Sequence, residues 1–180
     1  MPCKVIKPED SDQTVDAESV TVFLAGSIDN GAATLWAKEV EASCHDLDIT
    51  FFNPRRENWN SALVQRASEP MFKQQVTWEL DRIAIRTPSG GCDIPFFYFE
   101  AGSISPITLQ ELGFVFGSRS AFNAYGARTV MPIVVCPIKY WRRGNVEIMC
   151  ARHGVPVYSE LSPGIEALRF AISNLHKRGN

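Results

Sequence analysis

Five short runs of apolar, β-branched or aromatic residues alternate with longer segments of helical periodicity along this chain of 180 residues. Runs that stay apolar at successive positions are typical of strands buried on both faces of a parallel sheet, which helices must then cover. They occupy residues 20–25, 49–52, 94–99, 130–136 and 155–158. The alternation predicts one α/β domain with a doubly wound, five-stranded parallel sheet of flavodoxin-like or Rossmann-like type.

The segment before the first run differs in composition from the rest of the chain. Residues 1–19 carry five acidic side chains and no apolar stretch of the kind found in signal peptides. We therefore expect residues 1–19 to be a flexible leader and residues 20–180 to be the folded domain.

Charge, apolar runs and cysteines exclude several classes of protein. Lys and Arg number 18 against 20 Asp and Glu, and no basic patch is evident, which argues against a nucleic-acid polymer as partner. The apolar runs are far shorter than the roughly 18 residues of a membrane span. Five cysteines without a C-x-x-C pair, and without other metal-ligand spacing, indicate reduced thiols in a cytoplasmic protein that holds no metal.

Small and polar residues follow the first three predicted strands. Ligands of open parallel sheets bind beyond the carboxyl ends of the strands, so these residues are candidates for substrate binding. The two arginines among them could meet a phosphate or carboxylate, or could be solvated at an Asn-Pro turn. The candidates are Gly26, Ser27, Asn53, Arg55, Arg56, Ser103 and Ser105.

An acidic residue interrupts the apolar helix predicted after the third strand. Ser105 and Pro106 are suited to the N-cap and the first helical position, which puts Glu111 in the second turn. Because its helical neighbours are apolar, we expect Glu111 to be shielded from water, and an isolated buried carboxylate is costly unless it has a function. The alternatives are an ion pair with Arg55 or Arg119, or a side chain in solvent.

The helix before the third strand supplies a second acid and an aromatic ring. Either Glu79 or Asp81 could face the crevice and act as an acid/base partner of Glu111, although an ion pair with Arg82 would also account for them. Trp78 is a candidate to stack on a planar ligand. Phe52 and Trp59 are expected nearby in the same role.

Four segments in order resemble the nucleoside 2-deoxyribosyltransferase-like family. They are Phe23-Leu24-Ala25-Gly26-Ser27-Ile28, Asn53-Pro54-Arg55-Arg56, Gln75-Val76-Thr77-Trp78-Glu79-Leu80 and Ser105-Pro106-Ile107-Thr108-Leu109-Gln110-Glu111-Leu112-Gly113. The resemblance implies that Glu111 is a nucleophile and that Glu79, with Asp81 as the fallback, exchanges a proton with the base. Ser105 stands where the better-known branch of the family has an aspartate that grips the sugar hydroxyls.

The resemblance also implies the class of partners and leaves three functions open. The expected partners are a nucleoside or nucleotide, a free nucleobase and further copies of the chain, with no cofactor. The leading hypothesis is transfer of deoxyribose between nucleobases. A second is hydrolysis of nucleoside 5′-monophosphates, with Arg55 or Arg56 and the hydroxyls of Ser27 and Ser103 holding the phosphate. A third is a non-catalytic module that senses nucleotides or binds flavin.

Overall fold

The computed structural model describes residues 3–27, 35–56, 64–87, 90–124 and 130–179. Within these ranges the chain forms six strands and five helices that alternate after the second strand. The strands are β1 (Lys4–Ile6), β2 (Val20–Gly26), β3 (Ile49–Phe52), β4 (Ile94–Tyr98), β5 (Ile133–Val135) and β6 (Val157–Tyr158). The helices are α1 (Trp36–Ser43), α2 (Pro70–Ile83), α3 (Pro106–Ala124), α4 (Arg143–Arg152) and α5 (Leu161–Gly179).

The strands form one parallel sheet in the order β1-β3-β2-β4-β5-β6. The prediction of a doubly wound α/β fold is therefore confirmed, and the order of the five expected strands is the flavodoxin-like one. From β2 the chain first moves to β3 on one side and later to β4 on the other. The reversal of strand order, where ligands of such sheets bind, thus lies between β2 and β4.

The sheet has six strands rather than the five expected, because β1 lies in the segment assigned to a leader. Lys4, Val5 and Ile6 pair with Thr50, Phe51 and Phe52 at the edge of the sheet. An edge strand of three residues with only Ile6 fully buried carries too little apolar signal to be recognised from sequence.

Both faces of the sheet are covered, as the apolar runs predicted. Phe23 and Ala25 of β2 lie in the cluster that also holds residues of α2, α3 and α4. Val22 and Leu24 point to the opposite face, in the cluster formed with α1 and α5. Alternate residues of one strand thus enter two different cores.

A buried arginine fixes the C-terminal half of α3. Arg119 is 1% exposed and donates to the carbonyl oxygens of Cys92 (2.9 Å), Asp93 (3.0 Å) and Val130 (2.8 Å). These bonds tie α3 to the chain just before β4 and β5. Arg119 therefore serves the fold, and the alternative in which it pairs with Glu111 is wrong.

Gly26, at the end of β2, is required by packing. A Cβ atom here would lie 2.5 Å from Cζ2 of Trp36 and 2.6 Å from the backbone oxygen of Tyr98. The Trp36 ring stacks on Tyr98 at a centroid distance of 5.1 Å, and this arrangement needs the bare backbone. The structure thus gives Gly26 a role within the fold, where the sequence suggested close approach of a ligand.

We expect Gly26→Ala to lower the free energy of unfolding by about 1–3 kcal/mol, the usual cost of overpacking. Denaturant unfolding would measure it. The matched control is Gly102→Ala, because a Cβ at Gly102 has no atom within 4 Å and the change there should stay within about 0.5 kcal/mol. Equal stability of the two variants would contradict this account of Gly26.

Candidate active site

Ser27 joins the carboxyl ends of β2 and β4 at the point where the strand order reverses. Its backbone N–H donates to the carbonyl of Tyr98 (3.2 Å), and its Oγ accepts from the N–H of Glu100 (3.1 Å). Its own carbonyl accepts from Nε1 of Trp36 at 3.2 Å. Ser27 is 2% exposed, so these bonds close the floor of the crevice.

Ser105 completes a buried cluster of hydroxyl groups at the same edge. Its Oγ lies 2.5 Å from Oγ of Ser27 and 2.7 Å from Oγ of Ser103. Its φ of 44° is in the left-handed region that residues other than glycine rarely adopt, directly before Pro106. The bonds between the hydroxyls hold this strained residue directly before α3, the position that the sequence predicted for it. Its left-handed backbone conformation was not predicted.

Glu111 lies in the second turn of α3 and is half-buried, so the predicted shielding from water is present in part. Burial and, to a smaller extent, the nearby charge of Glu79 together raise the pKa of its carboxyl from the ordinary 4.5 to about 8. Among the described residues it forms no ion pair with an arginine. The proton of Glu111 is therefore retained near neutral pH in the free protein.

Glu79 extends from α2 toward Glu111 and has a different environment. Burial raises its pKa as well, but a hydrogen bond from Gln75 and the charge of Arg56 act in the opposite direction. Gln75 donates from Nε2 to Oε1 of Glu79 at 2.7 Å. The carboxyl groups of Glu79 on α2 and Glu111 on α3 thus interact while both are partly shielded from water. Gln75 and Arg56 stabilise the charged form of Glu79.

Gln75 connects this pair to the segment after β3. It is 5% exposed, accepts from Nε of Arg56 at 2.5 Å and donates to the carbonyl of Pro54 at 2.9 Å. Sequence reasoning gave Gln75 no role. Gln75 lies four residues before Glu79 and therefore on the same face of the helix, and this spacing could have predicted the contact between the two side chains.

Asp81 and the aromatic candidates lie away from the carboxyl pair. Asp81 is exposed, since residues two apart on a helix point in nearly opposite directions. Phe52 is fully buried, and Trp78 packs between Phe23 and Phe52 with ring centroids 6.3 Å apart and its Nε1 bonded to Gln13 at 3.0 Å. Phe52 therefore has no free face for stacking and that expectation is wrong, whereas stacking of a ligand on the half-buried Trp78 ring stays a prediction. Trp59 lies outside the described residues.

Asn53 shapes the loop that carries the two arginines. Its Oδ1 accepts from the N–H of Arg55 at 3.0 Å and its Nδ2 donates to Glu41 at 2.7 Å. Both ends of the amide are engaged within the protein in an Asx turn. Asn53 therefore fixes the chain at Arg55, and its part in substrate binding stays a prediction.

A cavity of about 800 Å³ opens at the other edge of the sheet, beside the amino ends of β2 and β4. Its most polar member, Arg86, donates to Asp93 at 2.6 Å and to the backbone oxygen of Ala17 at 2.9 Å. Arg86 thereby anchors the segment before β2. This cavity holds neither of the two half-buried glutamates.

We expect Glu111→Gln to make the protein more stable at alkaline pH. Because the unfolded carboxyl loses its proton near 4.5 and the folded one near 8, the unfolded chain binds fewer protons between these values and stability falls as pH rises. At pH 8.5 the free energy of unfolding of the variant should exceed that of wild type by at least about 1.4 kcal/mol, the free energy of one pKa unit. This difference should disappear toward pH 5. Urea unfolding across this range would measure it, with Asp81→Asn as the control at an exposed acid; parallel curves for wild type and Glu111→Gln would contradict the prediction.

Searches of the described residues for two other features gave negative results. No helix there is long and apolar enough to cross a membrane. No group of three or more His, Cys, Asp or Glu side chains in these ranges is arranged to hold a metal ion.

Comparison with known proteins assigns the chain to a family. A search of curated proteins found no match. The family model described as nucleoside 2-deoxyribosyltransferase-like matches residues 19–140, which include β2, the hydroxyl cluster and both half-buried glutamates. The match confirms the resemblance and indicates an enzyme of the deoxyribosyltransferase type with nucleoside or nucleobase substrates. This chain belongs to the nucleoside 2-deoxyribosyltransferase-like family.

Proposed function

We propose that this protein cleaves the C1′–N bond of a 2-deoxynucleoside through a covalent glycosyl ester on Glu111 and passes the sugar to another nucleobase. The observation that carries the proposal is the interaction of two half-buried carboxyl groups whose pKa values are both raised, Glu111 on the helix after β4 and Glu79 on the helix before it. Two carboxyl groups in unlike environments are what a retaining glycosyl transfer uses.

Glu111 acts as the nucleophile. Its carboxylate oxygen attacks C1′ while the C1′–N bond breaks through a state that resembles an oxocarbenium ion. Negative charge on Glu111 stabilises the positive charge developing on the sugar and then forms the ester bond. A carboxylate shielded from water is suited to this, because few solvent dipoles compete with the sugar for its charge.

Glu79 supplies and recovers the proton. As the C1′–N bond breaks, its electron pair goes to the base nitrogen, which takes a proton from Glu79. In the second half, an incoming base attacks C1′ of the ester through its ring nitrogen and returns its proton to Glu79. Glu111 leaves as a carboxylate, and the sugar keeps its original configuration after two inversions.

The setting we propose is that of a cytoplasmic homo-oligomer. All five cysteines are free thiols in the structure, which agrees with a reducing compartment. A soluble pool of nucleosides and free bases would supply both substrates.

A second candidate, hydrolysis of a nucleoside 5′-monophosphate, is favoured by one observation. The Nη2 atom of Arg56 is buried, and it has no hydrogen-bond partner among the described residues. A guanidinium group with an unused donor is suited to a phosphate oxygen. The hydroxyls of Ser27 and Ser103 and the side chain of Arg55 would complete that contact.

We expect Glu111→Gln to abolish turnover, by about 10⁴-fold or more, because an amide of the same shape cannot form the glycosyl ester. Mass spectrometry of wild type mixed with a slow 2-fluoro-2-deoxynucleoside should show a covalent adduct that the variant lacks. Ligand binding, measured by calorimetry, should persist in the variant. Retained turnover would remove Glu111 from this role, and binding without any turnover by wild type would support the non-catalytic hypothesis instead.

We expect a deoxynucleoside incubated with a second free base to yield the new nucleoside faster than free deoxyribose accumulates, as chromatography would show. If sugar or sugar 5-phosphate forms at one rate whatever base is present, the protein is a hydrolase. In that case Arg56→Ala should weaken the binding of nucleotides more than that of nucleosides, by about 1.5–3 kcal/mol, the range for a charged hydrogen bond. Arg66→Ala is the matched control, because Arg66 is an exposed arginine before α2.

A further inference from the structure

The hydrogen bonds of Gln75 determine which way its side-chain amide faces. Arg56 has only donors and contacts Oε1 at 2.5 Å, whereas the carbonyl of Pro54 can only accept and contacts Nε2 at 2.9 Å. Turning the amide over would set donor against donor and acceptor against acceptor. The orientation of Gln75 is therefore fixed by partners outside its own helix.

This orientation determines the role of one oxygen of Glu79. Nε2 of Gln75 lies 2.7 Å from Oε1 of Glu79, and Nε2 has no lone pair to offer. Oε1 must then accept this bond in both ionisation states of Glu79. A proton bound to Glu79 has to be on Oε2.

We propose that Gln75 is a positioning residue for the reaction, holding Oε1 of Glu79 as an acceptor so that the proton exchanged with the nucleobase is carried by Oε2. This inference rests on the proposed function in taking Glu79 as the acid. Arg56 acts one step further away, because its bond to Oε1 of Gln75 fixes the amide and polarises it.

The other charged groups around Glu79 define what the loss of Gln75 would do. Arg56, after β3, favours the charged form of Glu79, whereas burial disfavours it; Glu111 of α3 is the other titratable group that interacts with Glu79. The sequence of β2, against which α2 packs, contains no titratable side chain. Without the donor of Gln75, burial has less opposition and the carboxyl of Glu79 should hold its proton to higher pH.

The test compares Gln75→Met with Gln74→Met, the same change at the exposed neighbouring residue. The carboxyl carbon of Glu79 is followed by NMR in protein labelled with ¹³C at the glutamate side chains, and its resonance is assigned by its loss in Glu79→Gln. We expect its titration midpoint to move to higher pH in Gln75→Met and to stay at the wild-type value in Gln74→Met.

Kinetics provide the second measurement. With a natural deoxynucleoside, Gln75→Met should lower kcat about tenfold or more, within the contribution of a general acid, and leave KM nearly unchanged. With p-nitrophenyl 2-deoxyriboside, whose leaving group needs no proton, its rate should match wild type. Glu79→Gln should show the same contrast between the two substrates, more strongly.

Two results would overturn the inference: a Glu79 titration that does not move in Gln75→Met, or equal loss of rate on both substrates. If Gln75→Met does not fold, Gln75→Glu replaces it, because that side chain accepts from Arg56 but offers no donor to Glu79 when ionised. A wild-type protein that cleaves neither substrate while the titration still moves would refute the proposed function alone. The role of Gln75 in the ionisation of Glu79 would then stand.

Discussion

The reversal of strand order between β2 and β4 is the constraint from which the geometry of the site follows. Parallel strands send their connections to opposite sides at this point, where sheets of this type bind their ligands beyond the carboxyl ends of the strands. Ser27 ties these ends together by bonding to the chain at Tyr98 and Glu100. The helix that follows β4 begins beside Ser105, which bonds to Ser27, and it carries Glu111 in its second turn.

The sequence predicted the fold well because burial on both faces leaves a strong local signal. The runs around Phe23, Phe51 and Phe96 are apolar at nearly every buried position, with Thr21 and Thr50 as the exceptions. An apolar run is absent from a strand that is only partly buried, and such a strand is missed. Strand β1 has two half-buried residues before Ile6, and its pairing with β3 depends on a partner more than 40 positions away.

The sequence indicated the burial of single side chains in the candidate site better than their contacts. The shielding of Glu111 could be predicted because an acid in an apolar helix has a cost that the sequence reveals. The packing of Trp78 against Phe23 and Phe52 could not, because composition does not show whether a ring packs on the core or faces a ligand. The contacts of Gln75 and Asn53 could not be predicted either, because the residues that form hydrogen bonds with their amides are distant in sequence.

The electrostatics of the empty site favour charge on Glu79 more than on Glu111, which is the reverse of what the proposed chemistry needs. Burial raises the pKa of both carboxyls, and Gln75 and Arg56 oppose that rise at Glu79 only, whereas the glycosyl transfer we propose needs a charged Glu111 and a protonated Glu79. Positive charge developing on the sugar would reverse that preference, since it lies next to Glu111. In the mechanism we propose, Glu111 would pass its proton to Glu79 as the sugar binds, so that the empty site does not carry two negative charges shielded from water. The substrate would then favour the charged form of the carboxyl that attacks it.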